Sequence, residues 1–147
     1  MYNRILLIGL IAWTLAQILK VIIFWIINKR FEFRRFFGDG GMPSCHTACV
    51  TSVATAVGFQ CGWDSPVFAV ATILAIIVMH DAMGVRQETG KQAKVINNML
   101  LLLESMGPKE LTPAQVLKEF VGHTGRQVTV GAILGIAAAV ILEMLLP

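Results

Sequence analysis

Charge is scarce in this chain. Lys, Arg, Asp and Glu make up 14% of its 147 residues, against about 25% in ordinary soluble domains. So few polar side chains cannot cover a soluble domain of this size, whereas a bilayer removes the need. The formal charge of +3 comes without a basic stripe, so nucleic acid is not an expected partner. Cysteine is scarce too. Cys45, Cys49 and Cys61 are an odd set without framework spacing, and no disulfide is implied. Cys45, His46 and Cys49 share a helical face, but zinc wants about four such ligands and no fourth is at hand. No metal or cofactor is expected, and the cysteines read as small packing residues. Strands are excluded, because an open sheet edge cannot be satisfied in lipid and the chain is too short for a barrel.

What the chain does have is apolar length: hydrophobic residues reach 56%. The expected fold is an all-α integral membrane protein, residues 1–147 forming one membrane domain. About four transmembrane helices are expected near 5–27, 42–62, 66–83 and 128–146, plus one or two interfacial helices. The first run carries only Gln17 and Lys20 as strong polar interruptions and ends in Asn28-Lys29-Arg30, a retained span with a basic stop rather than a cleaved signal.

Basic residues orient the spans. Lys29, Arg30, Arg34 and Arg35 lie in loop 28–41, and Arg86, Lys91, Lys94, Lys109, Lys118 and Arg126 in loop 84–127. Arg4 alone lies on the opposite side, with Lys20 unassigned. The positive-inside rule then places both long loops in the cytoplasm of a cell inner membrane and both termini outside. Small residues spaced four apart (Ala48/Ser52, Ala54/Gly58, Gly131/Gly135) permit close helix packing. The Gly131/Gly135 face serves either packing within the chain or a homo-oligomer.

Within loop 84–127, Ala93, Ile96, Leu100 and Leu103 recur at helical spacing opposite Lys91, Lys94 and Asn98, which predicts an amphipathic interfacial helix. Gly107-Pro108 breaks it. Thr112-Pro113-Ala114-Gln115 reads as a capping box, opening a short helix that buries Val116, Leu117, Phe120 and Val121 and stops at Gly122.

Three clusters fall at span ends on one membrane face. The first is Gly40-Gly41-Met42-Pro43-Ser44-Cys45-His46-Thr47. Its glycines allow close backbone approach, and a helix N-terminus receives anions. His46 in that turn could protonate a leaving oxygen; the alternative is a polar helix cap. The second runs from His80 and Asp81 to Arg86. An aspartate at the edge of an apolar helix is costly unless paired, and the arginine fork suits phosphate; a local Asp81–Arg86 pair is the alternative, and His80 carries little weight. The third is Gly122-His123-Thr124-Gly125-Arg126-Gln127, just before the last span. Together they outline a phosphate pocket.

The strings Gly40–Ala48, Asp81–Arg86 with Gly90-Lys91-Gln92-Ala93 and Asn97, and Gly122-His123-Thr124 closely resemble the divergent PAP2 membrane proteins. These are distant relatives of type-2 phosphatidic acid phosphatases and vanadium-dependent haloperoxidases. The resemblance runs in order over nearly the whole chain. It implies a PAP2-like bundle that hydrolyses a lipid phosphate or pyrophosphate through a phosphohistidine. His123 would be the nucleophile and His46 the general acid, with Asp81 as a further catalytic residue. Arg86 and Arg34 or Arg35 would clamp phosphate, and Gly41, Ser44, Lys91 and Arg126 complete the substrate-binding set. The chain departs from the motifs at Cys45, where they have glycine or serine. It also has Leu117 in place of an arginine and Gln127 in place of an aspartate, and Lys29–Arg35 does not reproduce the first motif. The other classes compatible with these residues are a non-catalytic protein that binds anionic headgroups or a partner, and a small transporter or flippase subunit.

Overall fold

The computed structural model describes residues 3–30, 36, 41–106, 117 and 122–145, the side chains of Glu104 and Met106 excepted. Arg34, Arg35, Gly40 and the capping box at 112–115 lie outside the described residues. Among the described residues all regular structure is helical: α1 Arg4–Asn28, α2 Cys45–Cys61, α3 Pro66–Met83, α4 Val85–Met106 and α5 Gly125–Leu145.

Local chemistry sets the ends. Asn3 caps α1, its side chain accepting from the Leu6 N–H, and Lys29 closes it with a left-handed φ of 51°. Ser65 caps α3 with Pro66 in the first turn, where a missing N–H costs nothing. Only Gly84 separates α3 from α4, so a helix occupies loop 84–127 almost from its beginning. Its packed face is Gly90, Ala93 and Asn97, whereas Ile96 and Leu103 are exposed.

α1, the helical run from Pro66 and α5 are long and apolar enough to cross a membrane, with mean hydropathies of 2.2, 2.0 and 2.3. α2 is shorter, at 17 residues, and richer in hydroxyls. It packs against all three of the others, so the least lipid-compatible helix is the most shielded. Buried Thr51, Ser52 and Thr55 return their hydroxyl protons to the carbonyls of Thr47, Cys49 and Thr51, each at 2.8 Å, which removes the penalty of an unpaired polar group. α2 also covers the full depth of the bundle, from Cys45 beside Lys20 of α1 to Gln60 beside Glu143 of α5.

The packing is built on glycine and alanine. A Cβ on Gly131 would lie 2.6 Å from the Ser44 carbonyl oxygen, and one on Gly135 would strike the Ala48 carbonyl and the Thr51 hydroxyl. The Gly131/Gly135 face is therefore occupied by α2 of the same chain. Of the two uses open to it, close intramolecular packing is the one seen in the bundle. Two alanine-rich layers follow, Ile8–Ala56–Ala139 and Ala16–Cys45–Ala48. Small side chains at a lipid-embedded interface gain backbone contact that larger ones would prevent. At the far end Arg4 donates to Glu143 at 2.8 Å and Gln60 to its other oxygen, tying α1, α2 and α5 together. Trp63 stacks edge-on between Phe59 and Phe68 at the α2–α3 turn, a placement typical of the membrane–water interface. α3 turns outward a face of Val70, Ile73, Ile76 and Ile77, all more than half exposed, which acyl chains would cover.

Candidate active site

At the opposite end, two backbone hydrogen bonds draw the three sequence clusters together. The Ser44 N–H donates to the Gln127 carbonyl at 3.1 Å, and the His123 N–H donates to the Ala82 carbonyl at 2.9 Å. Gly122 makes the second bond accessible. Its φ is +96°, and a Cβ there would stand 2.6 Å from the Gln87 nitrogen and 2.8 Å from the Arg86 carbonyl carbon. Only glycine lets the chain lie on the start of α4 and still turn into α5. Leu117 is held by buried Asn97, whose side chain donates to the Leu117 carbonyl at 2.9 Å and accepts from the Leu117 N–H at 3.0 Å.

These contacts enclose a cavity of about 250 Å³ lined by His46, Ile77, Val78, Asp81, Ala82, Arg86 and His123. Both histidines expected to do chemistry face it, and so does Arg86. Asp81 is there too, bonded to Arg86 Nε through Oδ2 at 3.1 Å, so it aims the guanidinium rather than orienting His123. The rest of the expected substrate-binding set divides. Ser44 is fully buried and caps α2, accepting from the Thr47 N–H and from the Thr47 hydroxyl. Gly41, with φ +93°, passes over the stem of Lys20. Lys91 pairs with Glu88 at 2.6 Å on the exposed side of α4, and Arg126 is exposed on the first turn of α5; neither lines the cavity. His80 is exposed.

The tautomer of His123 follows from its neighbours. Gln127 Oε1 accepts the Thr124 N–H at 3.0 Å and lies 3.2 Å from His123 Nδ1. A backbone N–H only donates, so the atom it meets on Gln127 is the amide oxygen. That oxygen only accepts, so Nδ1 carries the hydrogen and Nε2 keeps its lone pair. Thr124 Oγ1 in turn accepts the Gln127 N–H at 3.4 Å, completing a capping box in which the glutamine also steers the imidazole.

Burial pushes the His123 pKa down, and the positive fields of Lys20, His46 and Arg86 push it the same way, against the opposing bond from Gln127. The ring therefore stays neutral, and its Nε2 available, below the ordinary histidine value near 6.5. The sign of the linkage follows. The unfolded histidine takes up a proton below about pH 6.5 while the folded one resists, so this contribution to stability is complete above that pH and declines as pH falls below it. Thermal unfolding followed between about pH 7 and 5 should show a loss of stability in acid that a His123→Leu variant reduces. An unchanged acid slope in the variant would contradict the assignment.

Three residues of the site lie outside the expected set. Lys20 is 3% exposed within the bundle, and its Nζ donates to Cys45 Sγ at 3.6 Å. Cys45 Sγ is also 3.7 Å from His46 Nδ1. Gln127, a departure by motif, is the partner of His123. A lysine inside an apolar span is itself a signal, since charge is not left in lipid without use, and Gly9, Ala12, Ala16 and Lys20 share the buried face of α1. The Thr124-x-x-Gln127 spacing is likewise visible as a capping box.

A model of the Divergent PAP2 family matches residues 1–138. YuiD of Bacillus subtilis (strain 168), an uncharacterized membrane protein, is 38% identical over 148 aligned residues, covering 95% of this chain and 94% of that one. No solved structure matches. With the helical bundle and the ordered His46, Arg86 and His123 clusters, these likenesses settle the kinship: the chain is a membrane protein that belongs to the divergent PAP2 family.

Proposed function

We propose that the protein is a membrane-embedded phosphatase acting on a lipid phosphate or pyrophosphate. The observation that carries this reading is that His46, His123 and Arg86, distant in sequence, line one cavity together with Asp81, the rest of its wall being the apolar Ile77, Val78 and Ala82. His123 Nε2 attacks phosphorus, the bond to the leaving oxygen breaks, and His46 protonates that oxygen. Water then attacks the phosphohistidine, breaking the P–N bond and releasing phosphate. Arg86, aimed by Asp81, meets the charge that builds on the phosphoryl oxygens. Ile77 and Val78 supply the apolar wall, and the exposed face of α3 beyond them suits a substrate with a hydrocarbon tail. Lys29, Arg30, Arg86, Lys91, Lys94 and Arg126 all belong to the site end and Arg4 to the other, which supports an inner-membrane protein with the site at the cytoplasmic leaflet.

A second reading is favoured by Gln127: a neutral amide gives an imidazolium no charge stabilisation, which suits a protein that binds phosphate headgroups without turning them over. One assay separates the two. The purified protein in lipid nanodiscs, with chelator present, is given a panel of lipid phosphates and pyrophosphates. Phosphate release that saturates and is blocked by vanadate is the expected result. Binding of the panel without release would leave the headgroup-binding reading and remove the enzyme.

A further inference from the structure

We propose that Cys45, held by Lys20, sets the tautomer of His46 so that the two histidines present complementary nitrogens to the cavity. The argument is one of donors and acceptors. A lysine ammonium only donates, so in the 3.6 Å contact Cys45 Sγ is the acceptor. As a thiol, Cys45 still has one hydrogen to give, and in this proposal it goes to the other neighbour within reach, His46 Nδ1 at 3.7 Å. An Nδ1 that accepts leaves the ring proton on Nε2. His46 is thus an Nε2–H donor, whereas Gln127 makes His123 an Nε2 acceptor. One ring offers a proton and the other a lone pair to the same space, the division of labour that attack and leaving-group protonation require.

The contacts are well placed to persist. Cys45 and Lys20 are each 3% exposed, the lysine stem is held under Gly41, and Cys45 packs with Ala16 and Ala48 between α1 and α2. The groups facing this cluster from neighbouring elements include His123 and Arg86. The consequence for chemistry rests on the phosphoryl-transfer reading. As the P–O bond breaks, the Nε2 proton of His46 goes to the leaving oxygen and the Cys45 thiol proton passes to Nδ1. The sulfur is left as a thiolate against the Lys20 ammonium. When water attacks the phosphohistidine, its proton goes to His46 Nε2 and the Nδ1 proton returns to sulfur, restoring the start. Cys45 is accordingly a positioning residue, and Lys20 acts through it.

The test needs no substrate. The full chain, labelled with 15N-histidine in nanodiscs at about pH 8, above the ordinary histidine pKa near 6.5, is read by NMR. His46→Gln, His80→Gln and His123→Gln variants assign the rings. The expected spectrum has pyridine-type Nδ1 and pyrrole-type Nε2 for His46 and the reverse for His123. Cys45→Ser, which can accept and donate in the same way, keeps this pattern. Cys45→Ala gives a mixed His46 signal with His123 unchanged, and about 10²-fold lower turnover, the low end of an acid–base contribution. A pyrrole-type Nδ1 on wild-type His46 overturns the proposal, whether or not the alanine variant folds, as does an unaltered His46 signal in a folded Cys45→Ala. A protein with the expected tautomers and no phosphate release sinks the phosphatase reading alone.

Discussion

Replacing His123 with alanine is expected to lower phosphate release by about 10⁴- to 10⁶-fold, the range seen when a covalent nucleophile or its base is removed. The same change should abolish any acid-labile phosphoenzyme trapped during turnover. The bundle should survive it. His123 reaches the cavity from the two residues between Gly122 and α5, and the side-chain bond it loses, to Gln127, is worth about 1 kcal/mol. Arg86 stays aimed by Asp81, so the variant should still bind vanadate or phosphate, only more weakly. Release at an undiminished rate from a folded His123→Ala protein would show that His123 is not the attacking group.

Gly122→Ala should be nearly as damaging, for a backbone reason. A φ of +96° strains any residue with a Cβ, at about 1–3 kcal/mol. The added carbon would meet backbone atoms of Arg86 and Gln87, which cannot move aside as a side chain could, and overpacking adds about 1–3 kcal/mol. Together these approach half of a typical total stability of about 5–15 kcal/mol. The chain would have to lift from α4, breaking the bond from the His123 N–H to Ala82 and carrying the imidazole out of the cavity. Melting temperature and phosphate release are expected to fall together. Gly125→Ala is the matched control, because a Cβ there finds only Met83 Sδ at 3.9 Å. Equal losses in the two variants would mean that Gly122 matters for some reason other than its seat on α4.

These two residues also mark the limits of what can be read along the chain. The motif around 122–127 stands out by its residue types, and the end of the bundle it occupies follows from its place just before the last apolar run. Its contact with the start of α4 does not, because a glycine needed for a positive φ and a glycine in an ordinary turn are the same letter. Lys20 shows the opposite case. As a charge within a span it is conspicuous, yet the helical period of α1 names only a face, and which neighbour covers that face is a matter of packing between α1 and α2. The Gly131/Gly135 pair signals close approach with equal force for a partner chain or for α2, and only the arrangement of the helices assigns it to α2. Lys91 and Arg126 neighbour site motifs in sequence, yet both are exposed and neither is among the residues that line the cavity.

The sequence by itself determined that this is a helical membrane protein, where its apolar runs lie, which end of the bundle carries the polar clusters, and which family it belongs to. Those properties depend on composition and on periods of a few residues, which survive without knowledge of contacts. The tertiary structure decided that Asp81 serves Arg86, that Gln127 rather than a carboxylate steers His123, and that Lys20 and Cys45 stand behind His46. Each of those depends on hydrogen-bond distances of about 3–4 Å between different helices or across a turn, and the order of residues along a chain does not specify such distances.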